Sequence, residues 1–364
     1  MSDDGMRFDR SEMKVGVVGA SGYSGGELVR LLLRHPQVEI GCVTSRQYAG
    51  QSLTSVFPRF ALYPGADEIV FSQPEIDHLA NAAELVFLAL PHGVASEFAV
   101  PLLEKGTRVV DLSADFRLDD PVVYKEFYGK DHPAPDLLDQ AVYGMPEIYR
   151  EQIRNARLVA SPGCYPTSII LPCLPLLREG LIQPSSIIAD SLSGPSGAGR
   201  KVSLPFLFVE CNESLRPYGV PKHRHLSEIE QELSKVAGQS LRVQFTPHLV
   251  PINRGILTTL YLAPKAAFAS DTAMAELETK VSAAFEASYA DEPFVRLLGN
   301  AAFPDTKNVA NTNVLEIAWR LDARTGRLIV MSAEDNLGKG ASSQALQNFN
   351  IMAEYPETTG LLWG

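Results

Sequence analysis

The sequence predicts two unlike halves: a doubly wound parallel α/β sheet, then an α+β half built on a mixed or antiparallel sheet. Three observations carry this reading. Short apolar runs alternate with segments of helical period over residues 14–112. After about residue 161 the strand-like runs lengthen, and one pair flanks a turn-rich loop, DARTG, at 322–326. The chain has 364 residues, which at roughly 150 per domain suggests about two domains.

The elements follow in order. Residues 1–12 read as a flexible tail. KVGVVG at 14–19 is a buried strand, GGELVRLLLR at 25–34 a helix and VEIGCVT at 38–44 a second strand. LVFLAL at 85–90 and RVVDL at 108–112 are further strands, with a helix over 93–105 between them. Residues 166–178 read as a helix despite two internal prolines, with Gly180 as its stop. Strands follow at 186–192, 241–250, 256–263, 313–321 and 327–332, with a helix at 270–289. A last helix covers 340–355; periodicity does not say which half it packs on.

Composition narrows the function. Hydrophobic residues make up 45% and charged residues 21%, a globular balance. With 32 basic and 43 acidic residues the net charge is −11, which argues against nucleic-acid binding through a basic face. No apolar run reaches the length of a membrane span, and the N-terminus lacks the apolar stretch of a signal peptide. Cys42, Cys164, Cys173 and Cys211 lie far apart without a C-x-x-C pair, so neither a disulfide framework nor a metal site is expected. A cytoplasmic protein with free thiols is the expectation.

Three motifs carry chemistry. Gly19, Gly22 and Gly25 form G-x-x-G-x-x-G directly after the first strand, where backbone N–H groups and a helix N-terminus face a diphosphate. Gly19, Ser21, Gly22, Tyr23 and Ser24 are the cofactor-binding candidates there; a tight turn without a ligand is the alternative. The second strand ends in Thr44-Ser45-Arg46, with no carboxylate for ribose hydroxyls. Ser45 and Arg46 suit a 2′-phosphate, so NADP(H) is expected over NAD(H).

Cys164 lies in SPGCYPTS ahead of a helix, where the dipole and free N–H groups favour a thiolate. It is the candidate nucleophile, and Ser161 precedes it as a substrate-binding candidate. Cys42 and Cys173 read as structural. His223-Arg224-His225 is followed by Glu228, three residues past His225. That spacing is expected to let the carboxylate orient the imidazole and raise its proton affinity. A solvated basic loop is the alternative. Ser196 and Gly197, in SGPSGAGR, allow close backbone approach to a ligand. Arg117, in DLSADFR, is a candidate for a substrate anion, with an ion pair to Asp115 or Asp119 as its alternative. His92 follows the strand at 85–90 and is a candidate to line the cofactor crevice, with a structural or surface role as the equal alternative.

GASGYSGGELVRLL, FLALPHGVA, DLSADFRL, YGMPE, SPGCYPTS, SGPSGAGRK, HRHLSEIEQ and DNLGKGASSQALQN occur in order over about residues 14–355. In these pieces the chain resembles the N-acetyl-gamma-glutamyl-phosphate reductases of the semialdehyde dehydrogenase superfamily. The resemblance implies a Rossmann-type NADP-binding domain at 13–163, a catalytic and oligomerisation domain at 164–337, and a helix at 338–356 returning to the first domain. It implies a homodimer or homotetramer. It implies NADPH-dependent reduction of an N-acetylglutamyl 5-phosphate through a cysteine thioester. By motif match Cys164 is the nucleophile, His225 the acid/base and Glu228 its partner; His223 and Arg117 bind substrate, and Asn336 lies near the nicotinamide. Aminoadipyl-phosphate or aspartyl-phosphate reduction, or a non-catalytic nucleotide sensor, are the alternatives.

Overall fold

The computed structural model describes residues 12–266 and 270–362. All of the expected tail but its last residue, residues 1–11, falls outside that range.

The first half forms a seven-stranded sheet in the order β3-β2-β1-β4-β5-β7-β6, parallel throughout. Its strands are β1 (Met13–Val18), β2 (Val38–Thr44), β3 (Phe71–Ser72), β4 (Leu85–Leu88), β5 (Arg108–Asp111), β6 (Ala141–Tyr143) and β7 (Leu158–Ala160). Val15, Val17, Leu85, Val86, Phe87, Leu88, Val109 and Val110 are fully buried, as strands covered on both faces must be. β3, β6 and β7 are only two or three residues long and were not expected from the sequence, because no period is visible at that length.

The second half is a mixed seven-stranded sheet, β12-β13-β14-β11-β8-β10-β9. It comprises β8 (Ile188–Ser193), β9 (Arg216–Pro217), β10 (Gln244–Leu249), β11 (Ile256–Leu262), β12 (Val295–Gly299), β13 (Leu315–Asp322) and β14 (Arg327–Glu334). β13 and β14 form the hairpin around residues 322–326. Burial alternates along β8, β11 and much of β14, so one face is covered and the other half open. Helices Cys164–Arg178, His225–Ala237 and Asp271–Tyr289 contribute Ile169, Ile229 and Phe285 to the same core as Leu260 and Val330.

The helix Cys164–Arg178 starts two residues before the expected position and runs unbroken through Pro172 and Pro175. A proline leaves the carbonyl four residues earlier without its N–H partner. Both carbonyls find a substitute. The Ser332 hydroxyl of β14 donates to Ser168 O at 2.7 Å, and the Tyr289 hydroxyl donates to Leu171 O at 2.6 Å.

The C-terminal segment differs from the single helix expected at 340–355. A π-helical turn, Gly338–Ser342, precedes an α-helix, Ser343–Met352, whose every residue is buried. Gly338 and Gly340 both donate their N–H to Asp335 O, which sets the wide turn. The α-helix lies on the first half. Phe349 meets Phe87 at 5.7 Å, Asn350 bonds His35 at 3.0 Å, and Asn348 donates to Gly144 O at 2.9 Å.

Candidate active site

Two helix N-termini organise the site. The first belongs to the helix Tyr23–Leu32, which leaves β1 through the glycine turn. Gly19 has φ +80, and a β-carbon there would fall 2.3 Å from Ala89 O. One on Gly25 would fall 2.3 Å from Gly19 O, so both positions need glycine for the turn to close. Gly22, the N-cap, meets only Gly19 O at 3.5 Å. No side chain caps this helix and its first turn holds no acidic residue. Its free N–H groups and positive dipole end therefore fit a diphosphate. Ser21 and Ser45 hydroxyls meet at 2.9 Å across the turn, Ser24 O accepts from the Ser342 hydroxyl, and Tyr23 and Arg46 are exposed. Arg200, which sequence reasoning did not single out, donates to Ser21 O at 2.9 Å. Its basic place at the end of SGAGR was the available signal.

The second N-terminus carries Cys164, the first helical residue after Gly163. A β-carbon on Gly163 would lie 2.7 Å from His225 Nε2. The imidazole thus rests against the backbone beside the cysteine. His225 opens the helix His225–Ala237, and its own N–H donates to His223 Nδ1 at 3.1 Å. The His223 ring packs among Tyr165, Tyr218 and Phe245 at 5.4–5.6 Å between centroids.

Glu228 does not hydrogen-bond His225. Its carboxylate accepts from Arg117 Nη1 at 3.0 Å, Tyr143 Oη at 3.2 Å and Gly163 N at 3.1 Å. Shared helical spacing decides which residues are neighbours; a buried carboxylate then turns to the strongest donors, here a guanidinium and a backbone N–H. Arg117 consequently pairs with Glu228, and its second nitrogen donates to Leu112 O at 2.8 Å. Neither Asp115 nor Asp119 takes it: Asp115 accepts from Gly93 and Ser96 N–H groups, and Asp119 pairs with Lys235. The Nε of Arg117, the Ser161 hydroxyl and Nδ1 of His225 are buried without partners. His92 accepts from Ala114 N at 3.2 Å.

Electrostatics depart from the expected polarity at two residues. Burial first, then the neighbouring His223 ring and the positive Arg117 and Arg224, holds the His225 imidazole well below its ordinary range, so it is neutral. Burial pushes the Cys164 thiol up to about 12, and the Glu334 carboxylate adds to the rise. The Tyr165 backbone N–H pulls the thiol down, the expected effect of a helix start, but loses to desolvation.

A third cluster joins distant segments. Asn336 accepts from Gly255 N at 2.7 Å and donates to the Ser196 hydroxyl at 2.9 Å. A β-carbon on Gly197 would meet the same amide at 3.3 Å. Arg254, also missed, ties Asp335 at 2.9 Å to Glu27 of the glycine-turn helix at 3.3 Å. Two residues before Asn336 is Glu334, fully buried beside Cys164 and likewise missed; nothing in the linear pattern around it marks a site. Among the described residues no group of three or more His, Cys, Asp or Glu is placed to hold a metal ion, and no helix is long and apolar enough to cross a membrane.

A nucleotide-type turn and a helix-borne cysteine on two such sheets define a class. Residues 14–156 match the model of the semialdehyde dehydrogenase NAD binding domain, and residues 164–336 that of the semialdehyde dehydrogenase dimerisation domain. An N-acetyl-gamma-glutamyl-phosphate reductase of Akkermansia muciniphila is 55% identical, over 96% of this chain and 99% of its own. One of Desulfotalea psychrophila is 50% identical, over 96% and 98%. The chain belongs to the N-acetyl-gamma-glutamyl-phosphate reductase family of the semialdehyde dehydrogenases. The fold matches aspartate semialdehyde dehydrogenase II from Vibrio cholerae, complexed with ASA, at TM-score 0.69 and 15% identity, covering 95% of this chain and 99% of that one. It also matches aspartate semialdehyde dehydrogenase with NADP from Candida albicans at TM-score 0.66 and 16% identity, covering 94% and 99%.

Proposed function

We propose that this protein reduces N-acetyl-L-glutamyl 5-phosphate to N-acetyl-L-glutamate 5-semialdehyde and phosphate, a step of arginine biosynthesis, with NADPH as reductant. The observation that carries the reading is Cys164 at a helix start, with His225 seated on the adjoining Gly163. The identity of its relatives favours the acetylglutamyl substrate over aspartyl or aminoadipyl phosphates.

The Cys164 sulfur attacks the acyl carbonyl, its S–H proton leaves with the departing phosphate as the C–O bond breaks, and a thioester forms on the enzyme. NADPH, when bound, would supply the hydride that reduces this thioester. Backbone N–H groups at the helix start face the oxygen that becomes negative. The N–H of neutral His225 donates a hydrogen bond to that oxygen; as the thiohemiacetal C–S bond breaks and the aldehyde leaves, the sulfur takes up a proton from solvent and the thiol is restored. Arg117 and His223 bind the substrate's anionic groups, with Ser161 supplying a further hydroxyl. Glu228 fixes Arg117 and the Gly163 backbone, and so places the cysteine and histidine indirectly.

Gly19, Ser21, Gly22, Tyr23 and Ser24 would hold the cofactor's diphosphate end. Ser45 and Arg46 would take its 2′-phosphate, and Ser196, Gly197 and Asn336 would stand on the nicotinamide side. Residues 13–163 make the cofactor domain, residues 164–337 the catalytic domain, and the segment 338–356 returns to the first. The half-open face of the second sheet, where Tyr261 is 37% exposed, joins protomers into a homodimer or homotetramer.

The test runs the reaction backwards, with N-acetylglutamate 5-semialdehyde, NADP+ and phosphate. Absorbance of reduced nicotinamide is expected to rise only when phosphate is present. No rise, together with turnover of aspartate semialdehyde or of an aminoadipate semialdehyde, would overturn the substrate assignment.

A further inference from the structure

Three arginines in and around the glycine-turn region have no acid to pair with. Arg46, Arg59 and Arg200 are exposed, and among the described residues none of them has an ion-pair partner. Glu27, the one acidic residue of the helix Tyr23–Leu32, is already held by Arg30 at 2.8 Å and by Arg254 at 3.3 Å. In a chain of net charge −11, cations left unpaired in one region point to an anionic ligand.

Of the three, Arg200 touches the turn itself. Its Nη1 donates to Ser21 O at 2.9 Å, and its other N–H groups have no acceptor among the described residues. The guanidinium carbon lies 5.8 Å from the centre of the Tyr48 ring and 5.7 Å from that of Phe57. A guanidinium held over rings keeps its donor edge free for a phosphate. The rings are fixed to the same place. Tyr48 N donates to the Ser45 hydroxyl at 3.3 Å, that hydroxyl meets the Ser21 hydroxyl at 2.9 Å, and a β-carbon on Gly26 would fall 3.2 Å from Phe57 Cζ. Arg59, by contrast, lies over Phe57 and Phe60, 4.7 Å from each ring centre, with no hydrogen bond to the turn. Ser45 directly follows β2, and the end of that strand is where a doubly wound fold meets the 2′ position of a dinucleotide's ribose.

Arg200 comes from the other half of the chain. It follows β8, which ends at Ser193, by a short span that turns at Gly199, where φ is +79. The same span carries Ser196, whose hydroxyl accepts from Asn336 at 2.9 Å. One short stretch of the second half thus reaches from Asn336 to the end of β2. We propose that Arg200 takes the 2′-phosphate of the cofactor, so that this phosphate is read by the half that carries Cys164 and not by the nucleotide domain alone. Nε and Nη2, the nitrogens not engaged with Ser21, supply the paired N–H groups that suit phosphate oxygens. The proposal rests on NADPH being the cofactor.

The test is calorimetric titration of the whole enzyme, without substrate, with NADPH and with NADH, for wild type and Arg200→Met. The Kd for NADPH should rise about tenfold or more in Arg200→Met, while the Kd for NADH stays within about twofold. An unchanged Kd for NADPH would overturn the proposal. So would an equal loss for both cofactors, which would place Arg200 on the diphosphate or make it a support of the turn. A second measurement needs no variant. Trypsin cuts after Arg200 and Lys201, both exposed. Adenosine 2′,5′-bisphosphate should slow cleavage after Arg200 by about fivefold or more, and 5′-AMP at equal occupancy should not, because only a bound 2′-phosphate ties the span down. Equal slowing by the two would overturn the proposal as well. A failure of the cofactor reading looks different: wild type would then bind NADPH and NADH alike. A wild-type preference that survives in Arg200→Met sinks the assignment of Arg200 alone.

Discussion

The two helix N-termini of the site are nearly the same object in different surroundings. Gly22 and Gly163 are both extended N-caps, with φ/ψ of −74°/177° and −71°/157°, neither helix has a side-chain cap, and neither has an acidic residue in its first turn. At the Gly22 end a β-carbon would meet only Gly19 O, at 3.5 Å. The Gly163 end is walled by the His225 ring, tied by its N–H to Glu228 and followed by a thiol beside Glu334. In the function proposed above, the first receives an anion that arrives with its ligand and the second generates one in place; there desolvation opposes the thiolate by more than the helix end favours it. A helix dipole acts over one turn; what fills the next few ångströms decides the sign of the outcome.

The sharpest way to separate the two ends is Cys164→Ala. Reduction should fall by about a thousandfold or more, while NADPH affinity measured by fluorescence titration stays within about twofold. A large loss of cofactor binding would mean the two ends are not independent. Next comes a matched pair of alanines. Gly163→Ala drives a β-carbon into the His225 ring, and kcat should drop about a hundredfold from the displaced imidazole. Gly22→Ala has room, so kcat at saturating NADPH should hold while cofactor KM rises. Equal effects of the two changes would erase the contrast.

Removing Glu228 with alanine strands the Arg117 charge in the interior. Urea unfolding should show a loss of about 3–5 kcal/mol. A smaller effect is expected at the open end: Arg46→Ala should cut the kcat/KM preference for NADPH over NADH about tenfold. Wild type using both cofactors equally would remove Arg46 from the site.

The smallest effect is a slope. Burial and Arg224 push His223 down to about 4, below its unfolded value of about 6.5. Between those values the unfolded chain binds a proton that the folded one refuses, so stability falls as pH falls, by about 1.4 kcal/mol per pH unit. His223→Gln should flatten the urea-stability profile by one proton over that window.

What could be read from the chain sorts by distance. KVGVVG, the glycine turn and the 322–326 hairpin are written in neighbouring residues, and their strands, helix and loop are found where the spacing puts them. His225 and Glu228 do share one helix, His225–Ala237. The partner of Arg117 was not legible, because two nearby aspartates offered themselves in sequence and the actual acceptor comes from 111 residues away. Glu334 ends a strand and precedes a glycine-rich turn, and only folding brings it near a cysteine 170 positions earlier. Its full burial, and the partial burial of Cys164 and His225, come from the folded interior, and no local pattern encodes how far that moves a proton equilibrium.

Pro172 and Pro175 give the cysteine helix an unusual mechanical character. The two carbonyls they leave free are gripped from different directions, one by Ser332 in the sheet and one by Tyr289 on a neighbouring helix. A rod pinned at two points about one turn apart can neither roll about its axis nor creep along it. The sulfur at its tip is thus part of the second sheet's rigid frame.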